Sequence, residues 1–105
     1  QRYILLVRDG QELVGDSIAF SRGDSLYVWV LGIATSHRKK GLATRLMELN
    51  EELARSSRLK SVTLKVLNVS SKMQQLLMKR GYSVESIDSS KTDSRYDAIH
   101  FRLNF

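Results

Sequence analysis

The stretch LYVWVLGIATSHRKKGLATRL, residues 26–46, decides the fold. Its first eight residues, LYVWVLGI (26–33), are β-branched or aromatic on both alternating faces. That pattern reads as a central strand covered on each side. From Gly41 the period changes. Leu42, Leu46, Leu49 and Leu53 step by four, three and four, the apolar stripe of an α-helix, widened by Ala43, Met47 and Ala54. Between strand and helix, His37, Arg38, Lys39 and Lys40 stand directly against a glycine.

That turn has a chemical reading. A helix N-terminus carries unpaired backbone N–H groups and a partial positive charge. It binds phosphate where the backbone is open to close approach. Gly41 has no side chain and Ala43 only a methyl, so an oxygen can reach the amides, and Thr44 adds a hydroxyl. Arg38, Lys39 and Lys40 attract a multiply charged ligand from a distance. The turn also follows the C-terminal end of a central strand, where open α/β sheets bind ligands. Neither the Walker pattern nor the dinucleotide G-x-G-x-x-G is present. On its charge alone the cluster reads equally as a phosphate turn or as a solvated basic loop leading into a surface helix, since such clusters are often generic polyanion patches.

Upstream, residues 3–7 form an apolar β-prone run that ends at the turn signal Asp9-Gly10. ELVGDSIAF (12–20) reads as its partner strand with a bulge at Gly15, and Arg22-Gly23-Asp24 is a second turn. Downstream, the helix fades near SSR (56–58) and SVTLKV (61–66) alternates as a strand. Ser71 and Gln74 have capping-box spacing at the start of a second helix. Met73, Leu76 and Leu77 form its buried face and Gly81 its stop. Residues 82–87 make another strand. In DAIHFRLNF (97–105), Ile99, Phe101, Leu103 and Phe105 share one face and His100, Arg102 and Asn104 the other. The order is β-β-β-α-β-α-β-β. It predicts an α/β (α+β) fold with one mixed central sheet, helices packed on it, and a parallel crossover from residue 26 to 66.

The chain of 105 residues has the usual size of one domain, so residues 1–105 are read as a single domain. It is 42% hydrophobic and 27% charged, which places it among globular rather than disordered chains. The formal charge of +6 favours a polyanionic partner: nucleic acid, anionic membrane or a phosphorylated cofactor. There is no cysteine, which excludes a disulfide scaffold, a thiolate metal site and a covalent Cys mechanism, and fits a cytoplasmic protein. No apolar run nears the roughly 20 residues that span a bilayer, so a membrane is not expected as a partner. Two histidines without acidic neighbours at ligand spacing make no metal site. His37 is read as a surface turn residue, His100 as a strand-face residue and Trp29 as core or cleft wall.

At this point a resemblance appears. R-K-K-G-L-A (38–43) matches the [Q/R]-x-x-G-x-[G/A] signature of GCN5-related N-acetyltransferases, and Ile33 stands five residues before Arg38, as in that family. The resemblance continues through LKV (64–66) and KRGY (79–82), and covers residues 3–104 in element order. It implies an acyl-CoA N-acyltransferase-like fold that lacks the family's usual N-terminal strand and helices. The chain begins at Gln1 rather than Met, so it is expected to be N-terminally truncated, cut from a longer protein, or a natural minimal version. The resemblance further implies acetyl-CoA as cosubstrate, no metal, and direct attack on the thioester by a primary amine of a small molecule, peptide or protein. Leu31, Gly32 and Ile33 would offer backbone groups to the pantetheine arm. Lys39, Lys40, Gly41, Leu42, Ala43 and Thr44 would wrap the pyrophosphate, with Arg38 opening the turn. The two parallel strands would splay to admit the arm.

The match departs from the family where the proton chemistry lies. The tyrosine that many members place on the second helix corresponds to Leu77, and the asparagine at that helix's start to Ser70, a shorter hydrogen-bonding group. The carboxylate base positions correspond to Tyr27 and Lys65. No acid or base is therefore assigned, and Tyr27 is the candidate, against a bland reading as a strand aromatic packed under a helix. A CoA-binding regulatory or degenerate domain is the alternative. A basic nucleic-acid module is the least favoured, because residues 37–46 carry no interleaved aromatics. A homodimer through the exposed edge of the last strand is left open as a source of the missing acceptor wall.

Overall fold

The computed structural model describes residues 1–38 and 41–105. Its strands are β1 (Arg2–Asp9), β2 (Glu12–Arg22), β3 (Ser25–Ile33), β4 (Ser61–Leu67), β5 (Ser83–Asp88) and β6 (Ala98–Asn104). Helix α1 (Leu42–Ser56) joins β3 to β4, and α2 (Ser71–Lys79) joins β4 to β5. The sheet order is β1-β2-β3-β4-β6-β5, with β3 and β4 parallel and every other pair antiparallel. The order of strands and helices is the one expected.

One face of this sheet holds the core. Ala19, Leu26, Val28, Val62, Leu64, Ile99 and Phe101 alternate onto it and pack with Met47 and Ala54 of α1 and Leu77 of α2. The opposite face carries Tyr27, Trp29, Lys65, His100 and Arg102. Trp29 is 59% exposed, and Ile4 and Leu6 on β1 are also exposed. The expectation that residues 26–33 are covered on both sides is thus corrected. Apolar side chains line both faces of β3, but the helices cover only one. Tyr27, read as packed under a helix, lies on the other face with the Arg22 guanidinium 4.1 Å above its ring.

Two bulges shape the meander β1-β2-β3. Val7 pairs with Gly15 and Arg8 with Leu13, so the extra residue is Val14, one position before the Gly15 expected. Gly15 serves a different purpose: a Cβ there would meet Ile33 Cδ1 at 2.9 Å and the Gly32 carbonyl at 3.2 Å. Ile18 pairs with Val30 and Ala19 with Val28, which makes Trp29 a second extra residue that the sequence did not signal.

The buried side of α1 is rotated from the leucine line. Leu46, Met47, Asn50, Glu51 and Ala54 are buried, while Leu42, Leu49 and Leu53 sit at its margins. Asn50 Nδ2 donates to Ser17 Oγ at 2.9 Å and to the Leu46 carbonyl at 3.0 Å. Glu51 accepts from Arg80 Nε at 3.0 Å, from Arg80 Nη2, and from the Tyr82 hydroxyl at 2.9 Å. These bonds satisfy a carboxylate that would be costly to bury alone. They clamp α1 to the end of α2. The Arg80 guanidinium is held more basic by its bonds to Glu51, and Tyr82 is pushed above the usual tyrosine range by burial and then by Glu51.

The capping box expected at Ser71 does not form. Ser70 is the N-cap, and Gln74 Nε2 reaches past it to the carbonyls of Leu67 (3.2 Å) and Asn68 (2.9 Å) at the end of β4. The last strand, β6, lies between β4 and β5, so it has no free edge for a dimer; the edges are β1 and β5. Phe105 lies beyond β6, half exposed beneath Arg55, rather than completing the apolar stripe. Among the described residues no helix is long and apolar enough to cross a membrane.

Candidate active site

The parallel pair β3–β4 is joined only from Ser25–Val28 to Ser61–Leu64. Beyond that point the strands part. The Trp29 bulge falls where pairing stops, and a bulge bends and twists its strand. The gap is a cleft of about 1120 Å³, lined by residues 28–33 of β3, 64–67 of β4, and Ser70, Met73 and Leu76 at α2. Backbone groups on the facing edges of the two strands are left for a guest to satisfy.

The start of α1 also lines this cleft. Gly41 is the N-cap at φ 76° and ψ 9°, a left-handed conformation that favours glycine, and among the described residues none beyond its chain neighbours comes within 4 Å of where its Cβ would be. Among the described residues no side chain caps the helix, and its first turn holds no acid. The first intrahelical bond at this end runs from Arg45 N to the Gly41 carbonyl, 3.0 Å. The amides of Leu42, Ala43 and Thr44 thus have no carbonyl partner inside the helix. The described lining carries His37, Arg38, Lys65 and Lys72 and no carboxylate. Amide donors, helix dipole and basic side chains all favour an anion there.

The structure brings Leu31, Gly32, Ile33, Arg38, Gly41, Leu42, Ala43, Thr44 and Ser70 to this one cleft. Lys39 and Lys40 lie outside the described residues. Arg38 Nε donates to the Ile33 carbonyl at 3.4 Å, so this side chain ties the turn to the end of β3. His37, read as a surface turn residue, is instead an anchor. Its Nε2 is 2.8 Å from Asp9 Oδ2 and its Nδ1 2.8 Å from Ser36 Oγ, and only 13% of its side chain is exposed. Leu77 is fully buried in the core, not turned to the cleft.

Tyr27 does not line the cleft. It lines a second pocket of about 290 Å³ on the face opposite the helices, with Thr63, Leu64, Glu85, His100 and Arg102. Leu64 borders both cavities, and Tyr27 and Val28 are chain neighbours, so the pocket adjoins the closed end of the cleft. Its polar wall is ordered: Ser25 and Ser61 hydroxyls are 2.6 Å apart, Arg102 Nη1 donates to Ser61 Oγ at 2.7 Å, and Arg102 Nε to Glu85 Oε1 at 2.8 Å. The polar side of β6 was the one signal of this pocket in the sequence. Among the described residues no three metal-binding side chains cluster.

Residues 1–82 match the model of the Acetyltransferase (GNAT) family. The chain belongs to the GNAT acetyltransferase family. Solved structures agree in fold. The Bacillus subtilis acetyltransferase in complex with CoA is 18% identical with a TM-score of 0.87, over 97% of this chain and 76% of that one. The ribosomal-protein-S18-alanine N-acetyltransferase from Escherichia coli is 17% identical with a TM-score of 0.89, over 98% and 68%. A GNAT family acetyltransferase from Elizabethkingia anophelis with acetyl-CoA bound is 14% identical with a TM-score of 0.87, over 97% and 75%. No curated protein matches in sequence. As a GNAT chain, this protein has a mixed sheet and two helices of the acyl-CoA N-acyltransferase type.

Proposed function

We propose that this chain is an N-acetyltransferase that moves an acetyl group from acetyl-CoA to a primary amine by direct attack in a ternary complex. The observation that carries the reading is the parting of β3 from β4 beside an uncapped, acid-free helix N-terminus. A diphosphate fits the amides of Leu42, Ala43 and Thr44 at Gly41, with Arg38, Lys39 and Lys40 as its basic surround. The pantetheine arm fits along Leu31, Gly32 and Ile33, whose peptide groups stand in for a strand's pairing partners, with the Ser70 hydroxyl across the cleft. Two relatives of this fold were crystallised with CoA or acetyl-CoA, which supports the choice of cosubstrate. Acetyl-CoA supplies an activated acyl carbon. The chain's own residues fix its ends and leave the acyl group facing the closed end of the cleft. The proposal treats residues 1–105 as one domain acting in the cytoplasm, on a small-molecule, peptide or protein amine.

One observation favours a second reading, a CoA-binding domain without robust turnover. Leu77 is buried, so α2 offers no tyrosine to protonate the departing thiolate. Calorimetry with acetyl-CoA followed by thiol release with a panel of amines separates the two. Micromolar binding with amine-dependent thiol release is the expected result. Binding without release would leave the second reading, and no binding would remove both.

A further inference from the structure

We infer that His100, oriented by Asp88, is the base that takes the proton from the incoming amine in the pocket opposite the helices. The inference rests on the acetyl-transfer reading above. His100 lies on β6 with Lys65 as its cross-strand partner on β4, and its ring lines the 290 Å³ pocket that adjoins the closed end of the cleft at Leu64. Its Nε2 is 2.8 Å from Asp88 Oδ2 on the neighbouring strand β5. A carboxylate only accepts, so Nε2 carries the hydrogen and the lone pair sits on Nδ1. A carboxylate that fixes the imidazole tautomer in this way leaves the other nitrogen ready to accept a proton.

Three other acid–base groups line the pocket. Glu85 on β5 holds Arg102 of β6. Tyr27 on β3 lies under Arg22 of β2. Asp24, at the β2–β3 turn, and Arg22 also line the pocket. The charges around His100 are therefore Lys65, Arg102 and Arg22 against Asp88, Glu85 and Asp24.

The step balances within the pocket and cleft. The ammonium gives one N–H proton to Nδ1, and its freed electron pair forms the N–C bond to the acyl carbon. The C–S bond breaks, and the sulfur leaves with its electron pair and takes a proton from solvent. The amide nitrogen loses its surplus proton to water, and the imidazolium returns its own to solvent.

The test uses the full chain, acetyl-CoA and two acceptors. 2-Phenylethylamine is protonated near neutral pH, whereas hydroxylamine is not and needs no base to free its electron pair. His100→Gln is expected to lower kcat with phenylethylamine about a hundredfold or more, and to flatten the rise of that rate with pH. With hydroxylamine the loss should stay within about tenfold. Asp88→Asn should lower the phenylethylamine rate in the same direction and by less. Equal losses with both acceptors, or an unchanged phenylethylamine rate in His100→Gln, would overturn the assignment. Failure of the wild-type chain to bind acetyl-CoA in calorimetry would overturn the acetyl-transfer reading itself.

Discussion

Replacing Gly41 by glutamate separates binding from folding at the α1 turn. Gly41 sits at φ 76° with open space around the site of a Cβ. A side chain there meets no clash with the described residues, but it must hold a left-handed backbone, which costs about 1–2 kcal/mol. Part of that is offset because the unfolded chain also loses freedom, by about 0.4–1 kcal/mol. A carboxylate at a helix N-terminus returns about 0.3–1 kcal/mol. The net effect on the free protein is about 1 kcal/mol or less, a shift in Tm of about 4 °C. Binding responds differently. A carboxylate roughly 4 Å from a phosphate is repelled by about 1 kcal/mol in bulk water and about 4 kcal/mol at an effective dielectric constant of 20. With two phosphates nearby, a loss of about 2–4 kcal/mol follows, or about 30-fold to 700-fold in affinity. Isothermal calorimetry with acetyl-CoA on Gly41→Glu and Gly41→Gln measures it. The glutamine variant shares the backbone strain and lacks the charge. The gap between the two should narrow in 1 M salt, where the Debye length falls to about 3 Å. Equal affinities for both variants would refute the charge argument, and wild-type affinity in both would remove the diphosphate from this turn.

Three further outcomes test other parts of the structure. Glu51→Ala leaves the buried Tyr82 hydroxyl and the partly exposed Arg80 without their shared acceptor, and should cost about 3 kcal/mol in urea unfolding. Because Tyr82 is held above the tyrosine range in the fold, the unfolded chain alone loses that proton above the ordinary tyrosine value of 10.0. Stability then falls as pH rises above about 10, by up to about 1.4 kcal/mol per pH unit, and Tyr82→Phe should flatten that decline in chemical denaturation. Phe101→Ala, at a fully buried site, should cost about 3–5 kcal/mol. Trp29→Ala should cost less than about 1.5 kcal/mol, since that ring is largely exposed and touches Phe20 at 5.7 Å between centroids. Thermal melts of the two variants check the contrast.

What could be read in advance was what short-range pattern encodes. The alternation of Ile99, Phe101 and Leu103 marks β6, and the change of period at Gly41 marks α1, because both periods are local properties of the backbone. What escaped depends on distant partners. Glu51 finds its place inside only through Arg80 and Tyr82, 29 and 31 residues away and brought round by α2. Tyr27 looked buried because strand aromatics read alike whether or not a helix covers them, whereas Trp29, read as core or cleft wall, lines the cleft. The candidate cleft was half legible. Gly41 and its basic neighbours were visible as a turn, but the Trp29 bulge that parts the strands is a matter of register with β2. His100 was read without an acidic neighbour at ligand spacing; Asp88 stands 12 residues away and arrives through the β5–β6 pairing.

The parting of β3 from β4 has a mechanical consequence. Two three-stranded panels, β1-β2-β3 and β4-β6-β5, are stitched by a seam of four residue pairs, with α1 as the brace across it. Past the seam the sheet has no rungs of its own, and stiffness there is delegated to whatever molecule fills the space. Deuterium uptake at residues 29–33 and 65–67 will therefore slow on ligand entry far more than at the hairpin β1–β2, whose pairing runs from Arg2 to Asp9 and is broken only by the bulge at Val14.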